Sequence, residues 1–119
     1  MKIYLNVGHA TNDGSPELAA EEIRSELEHI GKLTFFAVKF VHRAEGGEVT
    51  AVAHLETHEA LSKPQVDRAV FAAAVILHQD CIAWVHPTPS LKTIALSGSL
   101  TGPKAGDWGT FKLDYFHFA

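Results

Sequence analysis

The chain opens on a two-residue alternation. Ile3, Leu5 and Val7 stand against Lys2, Tyr4 and Asn6, the pattern of a strand buried on one side, over residues 2–8. Thr11, Asn12, Asp13 and Gly14 supply turn chemistry, and Ser15-Pro16 reads as an N-cap followed by proline at the first helical position. The period then becomes three and four. Ala20, Ile23, Leu27 and Ile30 form one stripe, with Glu21, Arg24 and Glu28 off it. This spacing predicts an amphipathic helix over 16–30, closed by Gly31 in a left-handed cap.

Two strand-like runs, 34–43 and 48–56, flank Ala44-Glu45-Gly46-Gly47 and predict a hairpin. With Arg43 opposite Glu48, Phe36, Val38 and Phe40 share a face with Ala51, Ala53 and Leu55, an apolar side expected to meet the helices. The other face is mixed: Phe35, Ala37, Lys39 and Val41 with Thr50, Val52, His54 and Glu56. A second helix over 62–79 has Val66, Ala69, Val70, Ala73 and Leu77 as its stripe. Phe71, Val75 and Ile76 fall outside it, which predicts burial on a second side, under the C-terminal segment or another subunit. Residues 81–86 and 92–100 read as a fourth and a fifth strand, antiparallel to each other. After Gly102-Pro103 come Trp108, Phe111, Tyr115, Phe116 and Phe118. Burying several rings outweighs the cost of ordering them, so this tail is expected to dock, with Trp108 mostly buried.

The order β-α-β-β-α-β, with short connections and right-handed crossovers, predicts an α+β fold. The specific expectation is a ferredoxin-like βαββαβ sandwich: a four-stranded antiparallel sheet with both helices on one face. An added C-terminal strand and the docked tail complete one domain over 1–119.

Composition narrows the setting. The 46% hydrophobic and 20% charged content over 119 residues is that of one folded domain. The longest apolar run, Ala69 to Leu77, is too short for a membrane span, and no secretory signal is visible at Met1-Lys2. Cys81 is the only cysteine, which leaves no internal disulfide and fits a reducing cytoplasm. Net charge is −4 and the basic residues are scattered singly, so nucleic acid is a poor partner.

The end of the chain is its most distinctive part. Leu77-His78-Gln79-Asp80-Cys81-Ile82-Ala83, then Gly102-Pro103-Lys104-Ala105-Gly106-Asp107-Trp108-Gly109-Thr110-Phe111 and Asp114-Tyr115-Phe116, resemble a group of small bacteriophage- and prophage-encoded proteins. The likeness covers roughly the last 45 residues well and the first half only in pattern. It implies action inside a bacterial cell and a role in countering host defence, and it carries over no functional residue.

Three constellations could carry chemistry. His9-Ala10-Thr11 and His86-Pro87-Thr88 look like the paired His-x-Thr motifs of two-histidine phosphoesterases, in which imidazoles serve as general acid and base. Asn12 and Pro89 stand where that pattern wants apolar residues, and neighbouring antiparallel strands would point His9 and His86 to opposite edges. His54 and His58 are four apart but straddle a strand end, so their spacing makes no metal site. The third is the helix-free face, where Tyr4, Asn6, Lys39, Thr50 and His54 gather and to which Trp108 is added as a binding residue. Such a face suits a dimer interface or a shallow ligand site. The sequence therefore reads as a non-enzymatic binding module, needing no cofactor or metal, that holds a host protein or a small nucleotide-like signal as a homodimer or higher symmetric oligomer. The alternative is a phosphoesterase built on His9, Thr11, His86 and Thr88.

Overall fold

The structure is a computed structural model that describes residues 1–10, 16–43, 46–86, 96–97, 99–108 and 112–113. Its elements run β1 (Lys2–Ala10), α1 (Pro16–Glu28), β2 (Gly31–Arg43), β3 (Gly46–Thr57), α2 (Lys63–Ile76), β4 (Ile82–Val85), β5 (Leu96–Ser97), β6 (Ser99–Thr101), a 3-10 turn (Ala105–Trp108) and β7 (Lys112–Leu113). Five strands form one antiparallel sheet in the order β2-β3-β1-β4-β6, and β5 pairs with β7 in a separate ladder. The chain is thus an α+β protein. Of the expected fifth strand over 92–100, residues 92–95 and 98 lie outside the described residues; Ser99–Thr101 pairs antiparallel with β4 as expected, whereas Leu96–Ser97 is corrected to the second ladder.

The alternation in β1 sets the sidedness of the whole sheet. Ile3, Leu5 and Val7 are fully buried and pack with Ala19, Ile23 and Leu27 of α1 and Val66, Val70 and Ala74 of α2. Both helices therefore cover one face. The α1 stripe begins at Ala19 rather than Ala20, which is only half-buried.

The β2–β3 register pairs Arg43 with Gly46, two residues from the expected pairing with Glu48. A shift of two leaves every side chain on its expected face, because the strand period is two. Phe36, opposite Ala53, lies under α1 with the Arg24 guanidinium 4.7 Å from its ring centre. Val38 and Phe40 lie on the same side, yet they are 50% and 36% exposed. Their expected burial is corrected: the apolar side of β2 is covered at Phe36, while Val38 and Phe40 keep part of their surface in solvent.

Gly31 is corrected too. It opens β2 without a left-handed φ, and a Cβ there would lie 2.3 Å from the Glu56 carbonyl oxygen. Close approach of β2 to β3 demands glycine, not helix capping.

α2 begins with a capping box. Ser62 Oγ accepts from the Gln65 N–H, and Gln65 Oε1 accepts from the Ser62 N–H. It ends earlier than the expected residue 79 because His78 takes φ 55°. The Gln79 N–H donates to the Ala74 carbonyl and the His78 N–H to the Val75 carbonyl, a Schellman closure with histidine where glycine is usual. His78→Gly should therefore raise stability by about 0.5–1 kcal/mol, relief of left-handed strain less glycine's extra entropy. A higher midpoint in urea unfolding, at unchanged slope, checks this. Beyond Val66, Val70, Ala73, Ala74 and Leu77, the helix leaves Phe71, Val75 and Ile76 about half exposed.

Candidate functional site: the helix-free sheet face

Pairing across the sheet assembles the helix-free face in three rows. Phe35, His54, Tyr4 and Val85 are successive register partners across β2, β3, β1 and β4. Two residues along each strand lies a second row, Ala37, Val52, Asn6, Ala83 and, from β6, Leu100. The third row is Lys39, Thr50 and Gly8. Rows two residues apart are separated by about 7 Å, so the aromatic row and the Lys39 row stand about 13 Å apart. Between them the floor is mostly small or aliphatic.

The aromatic row is built around one imidazole. His54 stacks on Tyr4 with ring centroids 3.9 Å apart and planes inclined by 18°, and Phe35 lies 4.8 Å away on its other side at 33°. Phe35 reaches this row because of a bulge: the register shifts between Leu33 and Phe35, making Thr34 the extra residue. Without it Phe35 would share the covered face with Leu33. Thr34 Oγ1 donates to the His54 carbonyl at 3.3 Å, which ties the bulge to the site.

His54 Nε2 is buried and, among the described residues, is the single buried side-chain nitrogen or oxygen with no hydrogen-bond partner. Burial pushes its pKa below the ordinary 6.5. The unfolded chain then takes up a proton that the folded chain refuses as pH falls through 6.5. The associated stability is complete above that value and declines below it until the folded imidazole itself titrates. His54→Phe keeps the stack and removes the titration. Thermal melts between pH 7 and pH 5 should show a shallower decline for this variant than for the parent, and parallel curves would contradict the assignment.

Of the six residues expected to bind, Tyr4, Asn6, Lys39, Thr50 and His54 do lie together on this face. Trp108 ends the 3-10 turn beyond the opposite edge strand β6, and its side chain and its expected burial lie outside the described residues, as does the aromatic tail after residue 113. Phe35, Ala83 and Leu100 complete the face and were not among the expected site residues.

The two-histidine arrangement is not assembled. His86 Nδ1 lies 2.8 Å from the Lys2 carbonyl at the start of β1, whereas His9 is near the end of that strand and contacts the Glu22 carboxylate. Seven residues of extended chain, about 23 Å, separate the two ends. Thr11 and Thr88 lie outside the described residues. His58 Nε2 is engaged with the Glu28 carbonyl at 2.8 Å, away from His54. No group of three His, Cys, Asp or Glu among the described residues could hold a metal ion. Cys81 precedes β4, its thiol pushed up by burial and by the neighbouring Asp80 carboxylate. No described helix is long and apolar enough to cross a membrane. No protein-family model, curated protein or solved structure matches this chain.

Proposed function

We propose that this chain is a non-enzymatic binding module whose working surface is the helix-free face centred on His54. The observation that carries this reading is the buried Nε2 of His54, without a hydrogen-bond partner among the described residues, inside an aromatic row on a face that no described helix covers. An unsatisfied buried polar atom costs about 1–3 kcal/mol. A face kept at that cost, where a phenylalanine would pack without it, is a face kept for recognition.

The ligand class that fits is nucleotide-like. The half-exposed ring of Phe35 offers stacking, Asn6 offers an amide to a base edge, and Lys39 offers a cation about two rows away for a phosphate. A host protein is the other occupant this mixed surface could hold. The resemblance to phage proteins supports action in a bacterial cytoplasm against host defence, and the exposed Phe71, Val75 and Ile76 of α2 support a homodimer or higher symmetric oligomer. The frame we assign is the ferredoxin-like βαββαβ sandwich, supported by the neighbour order β2-β3-β1-β4 of its first four strands.

Incubation with cyclic dinucleotides and short linear oligonucleotides, following both bound ligand and breakdown products, tests this reading. The expected result is saturable binding with the ligand recovered intact. Turnover that is lost in His9→Ala or His86→Ala would replace it with the phosphoesterase.

A further inference from the structure

α2 turns a second apolar surface away from the sheet. Arg68, Phe71, Ala72, Val75 and Ile76 are all exposed. At about 100° per residue, Arg68 and Val75 lie opposite the buried stripe, with Phe71 and Ala72 between them on either side. Phe71, Val75 and Ile76 keep 44%, 48% and 56% of their surface in solvent. The C-terminal half of the outward side is therefore apolar, with a small residue, Ala72, near its middle.

The charges of α2 run against its dipole. Lys63 and Arg68 sit in the first half of the helix, toward the positive pole. The last turn holds no basic residue, and the first turn holds no acidic one. The favourable arrangement is the reverse, with cations at the C-terminal pole and anions at the N-terminal one. Asp67 offers no compensation on the outward side, because its carboxylate accepts from Trp84 and Thr101. Arg68 has no carboxylate partner among the described residues. One surface thus presents a cation that lacks an anion and, about 10 Å along the helix, a negative pole that lacks a cation.

We propose that α2 packs antiparallel on α2 of a second copy, about a two-fold axis that passes between Phe71 and Ala72. The occupant follows from the charge pattern, since the surface carries both halves of the match and only a second copy presents them in reverse order. In this register Arg68 faces Val75 of the second copy, and Phe71 faces Ala72. Helix side chains lean toward their own N-terminus, so the Arg68 guanidinium reaches past that Val75 toward the carbonyl end of the other helix. Its aliphatic stem covers Val75 on the way. The two-fold repeats the contact on the other side of the axis, as an isologous interface requires. Large against small at the centre lets the helix axes approach to about 8–10 Å. An axis at Val75 would set Val75 on Val75 but carry Arg68 beyond the end of the other helix at Ile76. The helix layers meet back to back, which leaves the two helix-free faces on opposite outer sides. The proposal rests on the oligomeric part of the reading above and is independent of its ligand.

The test is sedimentation equilibrium of the parent and of variants on α2, with cross-linking in a Cys81→Ser background. The parent should sediment as a dimer, twice 12.9 kDa, and loosen as salt is raised. Arg68→Glu should raise the dimer Kd about tenfold or more, while Arg68→Lys keeps most of the dimer. Within one copy that glutamate stands toward the positive pole, so the variant should keep the parent's circular dichroism. Val75→Lys should halve the mass, again with unchanged circular dichroism. Ala72→Cys should cross-link to itself. Arg68→Cys and Val75→Cys should cross-link when mixed and not alone, since opposed Cα atoms lie within disulfide reach only in that combination. A parent monomeric at high micromolar concentration overturns the proposal together with the oligomeric reading. A dimer indifferent to both Arg68→Glu and Val75→Lys overturns the proposal alone and leaves that reading standing. Self-cross-linking at Val75→Cys in place of Ala72→Cys overturns the register.

Discussion

Trp84→Ala should be the most damaging single substitution in the sheet. Among the described residues Trp84 is the largest fully buried side chain, 1% exposed, and sits on the helix side of β4 opposite Leu5. Its indole N–H donates to Thr101 Oγ1 at 2.9 Å and to Asp67 Oδ1 at 3.2 Å, and the Thr101 hydroxyl donates to the same Asp67 oxygen at 3.0 Å. One ring thus fastens α2 to β4 and to the edge strand β6. Truncating a buried tryptophan costs about 3–5 kcal/mol in lost transfer energy and cavity. For a chain of this length that lowers the melting temperature by roughly 12–20 °C, out of a total stability of about 5–15 kcal/mol. Trp84→Phe fills most of the volume but gives up the hydrogen bonds, and should fall between alanine and the parent. Differential scanning calorimetry of the three proteins measures the order. A Trp84→Ala variant melting within a few degrees of the parent would contradict this account of the core.

Gly31→Ala should come next, and it separates two readings of one glycine. As a helix cap with positive φ, an alanine there would cost about 1 kcal/mol. In the structure the added Cβ would stand 2.3 Å from the Glu56 oxygen and 2.8 Å from both Glu56 C and Thr57 Cα, all of them backbone atoms. No side chain can turn aside, so β2 must move from β3 at the start of their ladder. Overpacking of this kind costs about 1–3 kcal/mol and occasionally more. The expected loss lies at or above the top of that range, with the amides of Gly31, Lys32, Glu56 and Thr57 losing hydrogen-exchange protection first. A loss of less than 1 kcal/mol, without change at those amides, would return Gly31 to a capping role.

The alternations and the helical spacing were legible because each follows from burial on one side of a regular element. Face assignments survived even the wrong hairpin register, since an error of two residues preserves them. What escaped was set by neighbours distant in sequence. Nothing around His78 announces a stop: its left-handed backbone closes α2 with no glycine to mark it. Asp67, Thr101 and Trp84 form a unit only because β6 lies beside β4 and beneath α2. Phe35 joins His54 through a one-residue bulge that no local composition signals. The helix-free face itself was legible, from the parity of β1 and β3 alone. Tyr4, Phe35 and His54 were all legible on it, but not the register that sets Phe35 directly beside His54.

The most direct measurement follows backbone amide shifts by two-dimensional NMR while a cyclic dinucleotide panel is titrated into the protein. The face reading predicts that the ligand that binds moves Phe35, Ala37, Lys39, Val52, His54, Asn6 and Ala83 together. His54→Phe should melt at or above the parent temperature at pH 6 while losing those shifts. Shifts gathered instead around Phe71, Val75 and Ile76 on α2, or a His54→Phe protein that binds like the parent, would contradict it.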